Sequence, residues 1–354
     1  MSAMRLLILG TGGMANTHAE NFAVLPGVEM VAAVDRDPTR VEAFAAKHGV
    51  GRRFLSLEEA LDWGEFDAVA NVTPDAVHYA TTMALIKAGK HVFCEKPLAT
   101  DAEKAFEMAE AAEAAGLINM VNFTYRNVPQ LQEARRRVLA GEIGAVKHIE
   151  ASYLQSWLVS KAWGDWKTET QWLWRLSKSH GSNGVLGDVG VHIFDFAVYG
   201  AGADVSQAFA RLLTFDKAPG GRIGEYPLDA NDSFVMTAQF ANGAAGVIHA
   251  TRWASGHSND LRLRIYGDKG ALEVNHSNKE GSGLRGCLGA DVEDFVWRDL
   301  EAPKTPTTYE RFAQAVRSGL GDDPDFRHAA RIQQIVDLAA RTEETRREAE
   351  LKAP

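Results

Sequence analysis

Leu6-Leu7-Ile8-Leu9-Gly10-Thr11-Gly12-Gly13-Met14-Ala15 is an apolar run that stops at a glycine turn and leads into a helical pattern. In Gly10-x-Gly12-x-x-Ala15 the first glycine permits a tight turn and the second lets backbone approach a pyrophosphate. The small third residue lets helix pack on strand. The helix that follows, with Gly13 and Met14 at its start, presents an amino terminus suited to an anion. Outward from this turn, apolar runs at Val28 to Val34, Ala68 to Val72, His91 to Phe93 and Ile118 to Asn122 punctuate the chain. Between them, Ala80 to Ala88 lacks glycine and proline, and Ala102 to Ala115 is rich in alanine and glutamate. Strands alternating with helices predict an α/β fold, a doubly wound parallel sheet over residues 1–124.

After Tyr125 the pattern changes. One helix is predicted near Gln130 to Ala140, then β-like runs at Val146 to Gln155, Ser206 to Phe215, Ser233 to Phe240, Ala245 to Trp253, Leu261 to Tyr266 and Ala271 to Val274. Gly141, Gly144, Asn242-Gly243 and Asp268-Lys269-Gly270 supply turns. A helix near Gly187 to Tyr199 interrupts the series, and helices near Thr308 to Ser318 and Phe326 to Glu348 close it. Residues 125–354 therefore read as a second, α+β domain with a large open, mostly antiparallel sheet.

A chain of 354 residues exceeds the size at which a single core usually keeps growing, which also favours two domains. Its net charge of -9 argues against a broad nucleic-acid or anionic-membrane surface. The two cysteines, Cys94 and Cys287, lie far apart and have no metal-ligand neighbours at a useful spacing. They suggest a reducing compartment, no disulfide framework and no metal site. The chain opens almost directly on a strand-like run and contains no uninterrupted apolar segment of spanning length, so a cytoplasmic protein is expected.

Asp35 ends the second apolar run about 20 residues after the glycine turn, where an acidic group hydrogen-bonds ribose hydroxyls. Its carboxylate would repel a ribose phosphate, which favours NAD, whereas Arg36 and Arg40 keep NADP open. Asp35 can also be read as a turn or capping residue before Asp37-Pro38. Asn71, Thr73 and Pro74 follow the next strand, at the sheet edge where open α/β folds bind ligands. Thr73-Pro74-Asp75 reads equally as a helix start.

The glycine turn, Asn71-Val72-Thr73-Pro74 with His78, Glu95-Lys96-Pro97, and Gly187-Asp188-x-Gly190-x-His192-x-x-Asp195 together resemble the glucose-fructose oxidoreductase, inositol dehydrogenase and MocA (Gfo/Idh/MocA) family. The motifs occur in that family's order over nearly the whole chain. The resemblance implies an amino-terminal Rossmann domain, a carboxyl-terminal domain with an open sheet, and catalysis by Lys96 and His192 assisted by Asp188, with Pro97 in a cis bond that aims Lys96. It also implies cofactor contacts from His78, Glu95, Asn122, Trp174 and Arg175, and association as a homodimer or homotetramer through the open sheet.

Side-chain chemistry suits these roles. Histidine titrates in the range needed to take a hydroxyl proton, and lysine can stabilise developing alkoxide charge. Asp188, four residues before His192, would share its helix face. Each residue also has a bland reading: a core histidine, a strand-end lysine, a helix-capping aspartate.

Five of eight tryptophans, Trp157, Trp163, Trp166, Trp172 and Trp174, fall between residues 157 and 175. Flat rings stack on sugar faces, which suggests a carbohydrate or cyclitol pocket with Trp163 as a candidate substrate contact, and the same rings read equally as packing under a long loop or at a subunit contact. Arg126 reads either as a substrate group or as a brace between domains.

The expected function is an NAD(P)-dependent dehydrogenase acting on a secondary alcohol of a sugar, glycoside or cyclitol. Alternatives are an NAD-retaining glycoside hydrolase working by transient oxidation and elimination, and a non-catalytic dinucleotide-binding sensor.

Overall fold

The computed structural model describes residues 3–351. The chain divides into two compact units. One runs through Thr124 and takes in Pro306–Gln333, and the other comprises Tyr125–Thr305 and the chain from Gln334.

The first unit opens with β1 (Met4–Leu9), α1 (Gly13–Ala23), β2 (Val28–Val34) and α2 (Pro38–His48). It continues with β3 (Arg52–Phe54), α3 (Leu57–Trp63), β4 (Ala68–Asn71), α4 (Asp75–Lys87), β5 (His91–Cys94), α5 (Ala102–Ala114) and β6 (Asn119–Val121). The sheet order is β3-β2-β1-β4-β5-β6, with every pair parallel. Leu6, Leu7, Ile8, Val69 and Ala70 are wholly buried, as expected for central strands covered by helices on both faces. The order reverses between β1 and β4, and the carboxyl ends of those strands form the crevice in which such sheets bind ligands. Local chemistry sets the helix starts: the Asp37 carboxylate accepts from Thr39 and Arg40 N–H, with Pro38 at the first position of α2. β3 escapes the sequence reading because it is three residues long with only Phe54 partly covered. α4 starts at Asp75, so the helix-start reading of Thr73-Pro74-Asp75 holds.

The second unit contains α6 (Pro129–Leu139), β7 (Val146–Leu154), a single turn α7 (Thr170–Leu173), α8 (Val191–Ala201), β8 (Val205–Leu213) and a short hairpin of β9 (Arg222–Ile223) and β10 (Tyr226–Pro227). There follow β11 (Ser233–Phe240), β12 (Ala245–Thr251), β13 (Asp260–Gly267), β14 (Gly270–Ser277), β15 (Gly281–Leu288) and β16 (Arg298–Asp299). After α9 (Thr308–Ser318) in the first unit, α10 (Phe326–Thr345) carries the division between the units, and β17 (Ala349–Glu350) ends the second. The nine strands run in the order β16-β15-β14-β13-β7-β12-β11-β8-β17, and within the sheet only β7 and β12 pair in parallel. α8 packs on β7, β12 and β13, and α6 on β14 and β15. β15 was not predicted, because Gly281, Gly283 and Gly286 lower its apparent strand propensity.

Residues 306–333 depart from the boundary read at residue 124. α9 places Tyr309, Phe312, Ala313 and Ala315 in one hydrophobic core with Phe22 and Phe93, and Phe22 meets Tyr309 edge-on with ring centroids 5.0 Å apart. An amphipathic pattern shows that a helix has a face to bury, but not which core will receive it.

Candidate active site

In the first unit the glycine turn has little freedom. Gly10 sits at φ +86°, and a Cβ there would stand 2.8 Å from the Val72 carbonyl oxygen. Only glycine satisfies both conditions. By contrast, a Cβ on Gly12 or Gly13 would meet nothing within 4 Å. Gly12 caps α1 without a side-chain hydrogen bond, and no acidic residue occupies the first turn. Met14 is about half exposed and Ala15 fully buried against the sheet. The turn thus leaves open space over uncapped amide donors, the arrangement an anionic ligand requires.

Asp35, at the end of β2, faces back to this turn. One carboxylate oxygen accepts from both the N–H and the hydroxyl of Thr11 at 2.8 Å, and the other accepts from Asp37 N–H at 3.0 Å. Partial burial pushes its pKa upward, but these bonds and the charge of Arg40 outweigh it and hold the group below the ordinary aspartate value. An ionised carboxylate has lone pairs left to accept from ribose hydroxyls. Arg36 is exposed beside it. A dinucleotide fits these residues.

At the ends of β4 and β5, buried Asn71 donates to the Thr81 and Thr82 hydroxyls at 2.9 and 3.1 Å and accepts from the Thr73 hydroxyl at 2.7 Å. Pro74 caps α4. His78 is 1% exposed, with both ring nitrogens against backbone carbonyls, so its side chain does not present itself to a ligand. Glu95 is buried. It accepts from His18 Nε2 at 2.7 Å, from Asn122 Nδ2 at 2.8 Å and from Lys96 N–H at 3.1 Å. Burial pushes Glu95 upward, yet His18, Asn122 and the charge of Lys96 overcome this and bring its pKa down to about 2. Asn122 in turn bonds Tyr309 and Thr308. Lys96 follows, half-buried, and the Lys96–Pro97 peptide is cis.

In the second unit Asp188 lies in one π-helical turn, Leu186–Gly190, that runs directly into α8. His192, in the first turn of α8, is 8% exposed. Its ring meets Tyr125 edge-on at 5.1 Å, and Tyr125 shares a 2.5 Å hydrogen bond with Tyr153. Burial pushes the Tyr125 hydroxyl up to about 12, the Asp188 charge adds to this, and the bond from Tyr153 opposes it. Arg252, with no exposed surface on its side chain, donates to Asp188 at 2.8 Å and to the Arg175 carbonyl at 3.2 Å.

Arg252, Tyr125 and Tyr153 were not singled out from sequence. A signal for Arg252 existed: Gly246, Ile248, Ala250 and Arg252 alternate along the buried face of β12 and its extension, and an arginine at an inward position demands a partner. Arg126 is corrected as a substrate contact. It is fully buried and grips Asp195 through Nε at 2.8 Å and a terminal nitrogen at 2.7 Å, so it braces the chain after β6 against α8. The tryptophans also divide. Trp157 and Trp166 are core residues packed with Leu158, Leu173, Leu176 and Leu228. Trp163 is half-buried, Trp174 is 40% exposed, and the Arg175 guanidinium lies 4.5 Å from the Trp174 ring centre. Among the described residues, no group of three potential metal ligands is clustered, and no helix is long and apolar enough to cross a membrane.

Residues 4–123 match a family model described as an oxidoreductase family with an NAD-binding Rossmann fold, and residues 131–273 match a GFO/IDH/MocA C-terminal domain. Levoglucosan dehydrogenase of Pseudarthrobacter phenanthrenivorans is 28% identical over 303 residues, 79% of this chain and 75% of its own. scyllo-Inositol 2-dehydrogenase (NAD+) of Bacillus subtilis is 27% identical over 324 residues, 89% of this chain and 87% of its own. A solved levoglucosan dehydrogenase in complex with NADH and L-sorbose superposes with a TM-score of 0.88 over all of both chains at 24% identity, a likeness of fold.

Proposed function

This chain belongs to the Gfo/Idh/MocA family of NAD-dependent oxidoreductases, and on that premise we propose that it moves a hydride to or from a secondary alcohol carbon of a sugar, glycoside or cyclitol. The observation that carries the substrate class is the Asp188 carboxyl group, ion-paired to the buried Arg252 at 2.8 Å and four residues before His192. Such an acceptor suits a ligand rich in hydroxyls. The named activities of the relatives on levoglucosan and scyllo-inositol agree with it.

Bound NAD supplies the hydride acceptor in the oxidative direction. The glycine turn and the α1 amino terminus would hold the pyrophosphate, Asp35 would accept from the adenosine ribose, and Asn71, Thr73, Pro74 and the Glu95–Asn122 network would shape the floor. Trp174 and Arg175 would contribute further cofactor contacts. His192 takes the hydroxyl proton. Lys96 donates a hydrogen bond to the same oxygen and stabilises its growing negative charge. Asp188 accepts from a neighbouring substrate hydroxyl, and Trp163 offers a flat apolar face to the ring. Association of copies occurs through the open face of the nine-stranded sheet, as a homodimer or homotetramer.

The test is formation of NADH, and separately NADPH, with levoglucosan, myo-inositol, scyllo-inositol and methyl glucosides. At least one should be oxidised with NAD, and Lys96→Ala and His192→Ala should bind NADH while losing about 100-fold or more in turnover. Full turnover in either variant removes that residue from the mechanism. Release of an alcohol from a glycoside without accumulation of NADH would identify a hydrolase instead.

A further inference from the structure

We propose that His78, as an imidazolium, is a positioning residue that fastens the turn after β4 to the segment after β5 and so fixes the backbone from which Lys96 projects. The proposal rests on the catalytic reading of Lys96 given above. His78 lies on α4 and is 1% exposed. Its Nδ1 stands 2.8 Å from the Pro97 carbonyl oxygen and its Nε2 stands 2.8 Å from the Thr73 carbonyl oxygen. Carbonyl oxygens only accept, and a neutral imidazole carries one N–H. In either neutral tautomer, one of the two contacts would bring two lone pairs together at hydrogen-bond distance in a dry site. With both nitrogens protonated, both contacts become charge-assisted hydrogen bonds, the stronger kind.

The surroundings favour the charged ring. Burial opposes the charge, but Cys94, at the end of β5, favours it. With the two carbonyls, it raises the pKa of His78 to about 9. The two carbonyls belong to different loops, Thr73 in the turn proposed to line the cofactor and Pro97 directly after Lys96. Thr73 is itself tied to β4 through the Asn71 side chain. His78 therefore joins two segments of one unit that no strand pairing joins at that point. Because its ring is enclosed and saturated with backbone partners, it acts through geometry and touches neither substrate nor cofactor.

The experiment uses the full chain. Histidine-labelled protein without added nucleotide should show, at about pH 8, one ring with both nitrogens protonated, above the ordinary histidine range. That signal should vanish in His78→Gln, whose amide donates from one atom only, accepts at the other and carries no charge. Labelling of lysine amines by acetic anhydride should change at Lys96 by about fivefold or more in the folded variant, because a shifted backbone alters the amine's setting. Lys87 and Lys104 should be unaffected. NADH affinity should fall less than turnover does, since the glycine turn and Asp35 are untouched and Thr73 stays bonded to Asn71. In turnover of whichever of levoglucosan or myo-inositol reduces NAD, His78→Gln should lose about tenfold, and His78→Gln/Lys96→Ala should be no worse than Lys96→Ala alone.

A neutral ring at that pH, or unchanged Lys96 labelling in folded His78→Gln, overturns the clamp. The wild-type spectrum decides even if the variant fails to fold. Full turnover by Lys96→Ala would instead defeat the catalytic reading, leaving the ring spectrum and the labelling to judge the clamp separately.

Discussion

At the residue scale, Glu95 is the most constrained charge in the first unit. Its ionised carboxylate requires His18 Nε2 to be a donor and gathers Asn122 and the Lys96 amide at the root of the candidate catalytic lysine. Glu95→Gln should cost about 2–3 kcal/mol of stability, the worth of hydrogen bonds to a buried charged group, seen as a lower urea midpoint at neutral pH. The folded pKa is depressed from 4.5 to about 2, so the stabilisation is complete above the unfolded value and disappears as pH falls through the folded one. Wild type should therefore lose more stability than Glu95→Gln between neutral pH and about pH 3, and parallel losses would show that Glu95 is not the group responsible. Gly10 is constrained sterically instead. Gly10→Ala combines a positive φ, costing about 1–2 kcal/mol, with a clash against the Val72 carbonyl. Both the melting temperature and NADH affinity should fall.

At the element scale, the amino terminus of α1 is left unsatisfied where every requirement of a good cap could be met. Gly12 has φ -70° and ψ -169°, extended values open to any residue, and a Cβ there has free space. Gly12→Asp should therefore stabilise the nucleotide-free protein by about 1 kcal/mol through an N-cap bond and the helix dipole. It should also weaken NADH binding by at least about tenfold, since like charge and bulk occupy the anion's place. Calorimetry and a fluorescence titration read the two effects. A variant that gains stability without losing affinity would show that the pyrophosphate does not rest on this helix end. In the second unit, the π turn before α8 sets Asp188, and the buried alternation of β12 delivers Arg252 to it. A helix read simply as 3.6-periodic over Gly187 to Tyr199 predicts neighbours on one face, but not this turn or the distant strand that supplies the counter-charge.

At the scale of the whole molecule, the chain returns to its first unit after building most of the second, and α9 completes the Rossmann core. Phe312→Ala, almost 200 residues after Thr124, should therefore cost about 3–5 kcal/mol and lower the melting temperature of the nucleotide-binding unit. Bound NADH should partly restore it, because ligand stabilises the state that binds it. If NADH produced no such shift, α9 would not be coupled to the nucleotide-binding fold.

By itself the sequence determined the parts whose physics is local. These are the turn that only glycine can make at residue 10, the alternation of apolar runs and helices that demands a parallel sheet, and the motif order that marks the family. Tertiary structure alone decided the pairings between distant residues: His18 and Tyr309 around the Glu95–Asn122 cluster, Arg252 with Asp188, Arg126 with Asp195, and α9 with the first core. A pattern of 2 or 3.6 residues reports that a side chain must be buried or satisfied. Which partner satisfies it depends on contacts formed only when segments far apart in the chain meet.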